Sequence, residues 1–262
     1  MRRSLLAFGL LLATAPALAE MVAKPVEWTV GKDRFSGYVV YDDAKADARP
    51  GLVMVPNWMG VTDTAVARAK TIAGDDYVVL VADVYGKDVR PKDAKEALAA
   101  VQKVYDDGGL RLRERANAAV ATLKAQSASV PLDTAKIAAF GFCFGGSVAL
   151  ELARSGADVA GVVSFHGGIE RYRPGADAIK ASVLVLNGAD DASVTGEQVL
   201  AFREEMKAAK ADWQFVDLGG AVHCFTQEES RDPPNCLYDE RASKRAFEMM
   251  DNFLDERFGS AD

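Results

Sequence analysis

Gly141-Phe142-Cys143-Phe144-Gly145-Gly146 sets a thiol in the pattern glycine, any residue, nucleophile, any residue, glycine. Such a turn carries the chain from a strand into a helix so tightly that the flanking positions have no room for side chains. The nucleophile then stands at the helix N-terminus, where free N–H groups and a partial positive charge favour an anion. At Cys143 that field would favour thiolate over thiol. The N–H of Phe144, next after the thiol, is a natural donor to an oxyanion. An inert buried cysteine in a glycine-rich turn is the alternative reading of the motif alone.

A thiol nucleophile works with a base, and the base with an orienting acid. Only His166 and His223 are available as histidines. His223 follows Gly219-Gly220-Ala221-Val222, a flexible loop ahead of the last helical stretch. Asp191 ends Asn187-Gly188-Ala189-Asp190-Asp191, just past a strand-like run, and the glycine-x-x-aspartate spacing favours it over Asp190. The order nucleophile, acid, histidine, at intervals of 48 and 32 residues, lets each group come from a different strand end. His223 is the expected base and Asp191 the residue that orients it. His166 precedes the acid and is out of order for the base. Its place after Val162-Val163-Ser164-Phe165 puts it on the ligand-binding edge of a sheet, as pocket lining.

The elements that must carry these groups are legible in the apolar pattern. Val26–Val30 and Phe35–Tyr41 flank Gly31-Lys32-Asp33 as a hairpin. Short apolar runs at Gly51–Pro56, Tyr77–Ala82, Lys136–Phe140, Val159–Phe165, Ser182–Leu186 and Trp213–Leu218 read as buried strands. Helical spacing covers Val61–Ala73, Lys92–Tyr105, Leu110–Gln126, Gly145–Arg154, Glu197–Lys210 and Leu237–Phe258. Strands alternating with helices predict an α/β fold, a mostly parallel sheet covered on both faces. Trp58, Met59 and Tyr85 follow strand ends, where they would build an apolar pocket.

Composition narrows the class. The chain has 262 residues, 49% hydrophobic and 26% charged, with a net charge of −7. These values exclude a polytopic membrane protein and a disordered tail, and the length suits one α/β domain. No basic surplus points to nucleic acid or an anionic membrane as partner. Three cysteines are too few for a disulfide scaffold, and no paired metal-ligand spacing occurs. No cofactor is expected.

Arg2-Arg3, the apolar run Leu5–Leu12 and Ala17-Leu18-Ala19 have the three parts of a secretory signal peptide. The reading is a leader over residues 1–19, one domain over 20–262, and a periplasmic or secreted destination in a bacterium, free of the membrane after cleavage. A monomer is expected. There Cys224 and Cys236 would pair, bracing the loop that carries His223. Two independent thiols are the alternative.

The cysteine-centred turn, the Asp191 segment and the His223 loop together resemble the dienelactone hydrolase family. Asp83-Val84-Tyr85-Gly86 and Ser164-Phe165-His166-Gly167-Gly168 extend the similarity across the chain after the leader. The resemblance implies an eight-stranded α/β-hydrolase fold and a Cys143-His223-Asp191 triad. It also implies hydrolysis of a small ester or lactone through an acyl-thiol intermediate, with the Trp58 N–H as second oxyanion donor. The sequence departs from the family at two positions. Asn57 stands where the family carries a glutamate that activates the thiol, and Gln227 where it carries an arginine for the substrate carboxylate. Asn57 is left as a substrate-binding residue beside Tyr85 and His166, and Lys87 or Arg90 as replacement cations. A thioesterase or acyl transferase would use the same triad. A fold retired to ligand binding or redox sensing through Cys143 is the reading from another class.

Overall fold

The computed structural model describes residues 21–172 and 178–259. The expected leader, residues 1–19, lies outside them. Eight strands form one sheet in the order β1-β2-β4-β3-β5-β6-β7-β8. They are β1 (Met21–Val30), β2 (Asp33–Asp42), β3 (Arg49–Val55), β4 (Val78–Val81), β5 (Leu132–Phe142), β6 (Gly161–Phe165), β7 (Ser182–Gly188) and β8 (Trp213–Leu218). The first two run antiparallel as a hairpin, β2 also pairs antiparallel with β4, and the rest are parallel.

The parallel strands are buried on both faces. Val78–Val81 is apolar at every position, and Leu52, Val53 and Met54 are fully enclosed. One face is covered by α2 (Ala94–Tyr105), α3 (Leu110–Ala125), α4 (Phe144–Arg154) and α5 (Gly196–Ala209). The other face meets α1 (Asp63–Ala73) and α6 (Glu240–Phe258). Caps define the helix starts: Thr62 accepts from the Ala65 N–H, Asp93 from Glu96, and Asp239 from Ala242. Thr195 and Gln198 close a reciprocal capping box at α5.

The helix carrying the nucleophile turn is fixed at its far end by charge. Every residue of α4 is buried. Glu151 and Arg154 pair at 2.9 Å; Arg113 reaches Glu151 at 2.7 Å and Glu205 reaches Arg154 at 2.8 Å. A buried charge without a partner is costly, so this network pins α4 against α3 and α5. None of it was read from the sequence, because its partners lie on three separate helices.

Candidate active site

Gly141 and Gly145 explain the shape of the turn. A Cβ on Gly145 would lie 2.0 Å from the Val55 carbonyl oxygen, and one on Gly141 would lie 2.2 Å from that of Gly145. The first turn of α4 therefore sits directly on the end of β3. This contact also brings the Pro56-Asn57-Trp58 loop beside the nucleophile turn. Cys143 takes φ 54° and ψ −120°, a left-handed-side backbone that a non-glycine residue keeps only under constraint.

The three polar groups meet in a line. His223 Nε2 lies 3.0 Å from Cys143 Sγ, and His223 Nδ1 lies 2.7 Å from Asp191 Oδ2. Asp191 is buried, and its other oxygen accepts from the N–H of Ser193 at 2.9 Å and the hydroxyl of Ser193 at 2.6 Å. Burial alone would raise the Asp191 pKa, but the bonds to His223 and Ser193 hold it below the ordinary carboxylate value. Burial alone would lower that of His223. The hydrogen bonds to Asp191 and Cys143, and the negative charge at both, push it up to about 10. The arrangement thus favours an imidazolium at His223, held between the Asp191 carboxylate and the Cys143 sulfur. Asp190 is exposed and outside this line.

Phe144 N–H directly follows Cys143, and Trp58 lies in the loop that begins at the Val55–Pro56 contact with Gly145. Among the described residues, neither Trp58 N–H nor Phe144 N–H donates to any protein acceptor. The turn after β3 leaves Trp58 free because Asn57 serves its neighbours. Its Oδ1 accepts from Met59 N–H at 3.0 Å, and its carbonyl accepts from Gly60 N–H at 2.9 Å. Unpaired backbone N–H groups of this kind are free to take an oxygen of a bound molecule.

Tyr85 is enclosed rather than presented to solvent. Its ring stacks on Phe144 at 5.3 Å, and its hydroxyl donates to the Trp58 carbonyl at 2.9 Å. Burial, then the negative charge at Cys143 and Asp83, raises its pKa, so the phenol stays a neutral donor. It braces the Trp58 loop against the start of α4. Asp83 in turn holds the chain at Tyr85, accepting from Tyr85 N–H at 2.9 Å and Gly86 N–H at 3.0 Å.

Three expectations need correction. His166 has no exposed surface; its ring bonds within the protein, to Cys143 N–H and Thr226. Arg90 is not a free cation, because it pairs with Asp83 at 3.2 Å and donates to the carbonyl and hydroxyl of Ser36. Lys87 is paired with Glu27. Two residues that position the site were missed. Ser193 was detectable, since a serine two residues after an aspartate is a common local hydrogen-bonding pair. Thr226 carried no local signal.

The loop after His223 is tied twice. Cys224 and Cys236 form a disulfide, and Leu237 N–H donates to the His223 carbonyl at 3.0 Å. Two short strands, β9 (Arg231–Asp232) and β10 (Cys236–Leu237), pair in the intervening segment. Among the described residues no group of side chains is arranged to hold a metal, and no helix is long and apolar enough to cross a membrane.

An eight-stranded, mostly parallel sheet with a tight glycine-flanked turn at Cys143 between β5 and α4 defines an α/β-hydrolase fold. Residues 35–258 match the model of the dienelactone hydrolase family, and the chain belongs to that family. The dienelactone hydrolase-like promiscuous phosphotriesterase P91, from metagenomic libraries, superposes with a TM-score of 0.83. It is 39% identical, over 91% of this chain and 99% of that one. An uncharacterized protein of Caenorhabditis elegans is 38% identical over 56% of this chain and 95% of its own length. Esterase 2 of Thermogutta terrifontis shares the fold at 19% identity and a TM-score of 0.63, over 93% of this chain and 96% of that one.

Proposed function

We propose that this member of a hydrolase family cleaves small carboxylic esters or lactones through an acyl-thiol intermediate on Cys143. The observation that carries the reading is the line Cys143–His223–Asp191, at 3.0 and 2.7 Å, beside two unpaired N–H groups. The thiolate attacks the carbonyl carbon, and the oxygen gains charge toward Trp58 and Phe144 N–H. His223 gives its proton to the leaving alkoxide, then takes one from the water that releases the acid. Asp191 holds the ring in the required tautomer and stabilises its charged form. The protein is exported, and its substrate is met outside the cytoplasm.

The site is built for an uncharged acyl group. Asn57 and Gln227 bond to each other, and Arg90 and Lys87 have partners elsewhere. A phosphotriester is a second candidate substrate, favoured by the 39% identity to a neighbour named for that activity. It too is neutral and would place developing negative charge on an oxygen.

The test is turnover of short p-nitrophenyl esters, small lactones and a phosphotriester by the purified chain, beside Cys143→Ala and His223→Ala. Ester or lactone turnover lost in both variants supports the reading. Activity that persists in Cys143→Ala removes the thiol as nucleophile. A folded parent with a free thiol and no turnover at all moves the protein to the ligand-binding or redox-sensing class.

A further inference from the structure

Cys143 and His166 face each other at the ends of adjacent strands, and both have positive φ, 54° and 39°. Backbone of that kind persists only where neighbours over-determine it. The Cys143 N–H is shared between two acceptors, the Phe165 carbonyl at 3.0 Å and His166 Nδ1 at 3.1 Å. A ring nitrogen that accepts carries no proton, so the proton of His166 sits on Nε2. That nitrogen lies 2.8 Å from Thr226 Oγ1, which must accept. Thr226 follows His223 by three residues, in the same loop. On its other side the Thr226 carbonyl accepts from Arg68 on α1 at 2.6 Å.

We propose that His166 is a positioning residue, a neutral strut that ties the nucleophile turn to the loop carrying the base. This rests on Cys143 and His223 being nucleophile and base. Few side chains can accept at one edge and donate at the other in a rigid plane, and histidine does both. Its environment keeps it in that state. Burial, reinforced by the neighbouring His223 ring at 5.2 Å, holds its pKa well below the ordinary value. Protonation would turn Nδ1 into a donor facing another donor, and would set a third cation beside those of His223 and Arg68. The Phe225 ring packs edge-on against it at 5.1 Å. The strut therefore fixes the 3.0 Å approach of His223 to the thiol from below, as Asp191 fixes it from the side.

A side chain that merely filled the core would affect stability alone. The strut predicts an effect on the thiol. Thr226→Val removes one hydroxyl and keeps the shape. His166→Asn keeps an acceptor for Cys143 N–H, and His166→Leu keeps neither bond. Alkylation of Cys143 by iodoacetamide is followed at pH 7, well below each protein's melting temperature. The parent is expected to react faster than a free thiol, with the rate falling about tenfold in Thr226→Val and further in His166→Leu. His166→Asn should recover part of the loss. With a p-nitrophenyl ester, kcat should fall and KM stay within about twofold. Alkylation rates in Thr226→Val and either His166 variant within twofold of the parent would overturn the strut, and Thr226→Val decides alone if His166→Leu does not fold. Alkylation needs no substrate turnover, so a parent with a fast thiol and no ester activity defeats the hydrolase reading and leaves the strut standing. A parent thiol no faster than a free one defeats both.

Discussion

Asn57 donates from Nδ2 to Oε1 of Gln227, joining the loop after β3 to the loop after His223 across 170 positions of sequence. The orientation of the Asn57 amide follows from its other bond, because Oδ1 is taken by the Met59 N–H. These are the two positions at which the sequence departs from the charged residues that the family resemblance implies. A neutral amide pair stands at these two positions and links the loop after β3 to the loop after His223.

That substitution sets the charge preference of the site. An ester with a free carboxylate on its acyl chain meets a neutral amide pair, with Lys87 and Arg90 already engaged elsewhere, while its neutral counterpart loses nothing. The parent should prefer the neutral ester by at least about tenfold in kcat/KM. In the double variant Asn57→Glu/Gln227→Arg, the preference should shrink by about tenfold. Equal turnover of both esters by the parent would show that the amide pair has no part in selection.

The raised His223 pKa makes stability depend on pH in a definite direction. The folded value of about 10 lies above the ordinary 6.5, so the folded state binds this proton more tightly than the unfolded chain. The resulting stabilisation is fully present below about 6.5 and is lost as pH rises toward 10. The melting temperature of the parent should therefore fall between pH 7 and pH 10 by roughly 5 °C more than that of Asp191→Asn. Parallel curves for the two proteins would mean that the His223 charge is not coupled to folding.

The parts of the fold legible in advance are those set by local pattern. The core strands and the helices after them need only an apolar run or a helical period. β1 begins at Met21, ahead of its alternating segment, because its register with β2 continues through Pro25 opposite Tyr38 to Asp42. β5 starts at Leu132 because its first residues pair with Arg49 and Pro50, and the polar Asp133 and Thr134 hide that from the pattern. At the site, chain order singled out Cys143, Asp191 and His223, and the structure brings them together. The position of His166 at a strand end was equally clear, but the direction of its ring was not. That depends on a positive φ and on Thr226, 60 residues away. Lys87 and Arg90 were misread for the same reason, since Glu27 and Ser36 are remote in sequence and adjacent in space.

The disulfide between Cys224 and Cys236 closes a loop of 12 residues' separation immediately after His223. Cys236 also bridges to His223 through the backbone. By chain entropy such a loop contributes on the order of 3 kcal/mol. Replacing both cysteines with serine should lower the melting temperature by several degrees. It should also lower kcat, because the freed segment directly follows His223 and contains Thr226. Unchanged kcat in the double serine variant would show that the Leu237–His223 backbone bond and Thr226 hold the loop without it.

The nucleophile turn makes the sharpest demand on residue type. A methyl group at Gly145 would lie 2.0 Å from the Val55 carbonyl oxygen and 2.4 Å from that of Pro56. Neither atom belongs to a flexible side chain, and both lie at the end of a central strand, so relief requires α4 to move off β3. α4 is clamped by the Glu151–Arg154 network at its other end, which resists that movement. Gly145→Ala should therefore cost more than the usual 1–3 kcal/mol of an overpacked core, and it should yield little folded protein. Gly196→Ala is the control, since nothing lies within 4 Å of a Cβ there and α5 gains a better helix former. It should express and melt like the parent. A folded Gly145→Ala with the parent's melting temperature would mean that β3 and α4 are not in the close contact described.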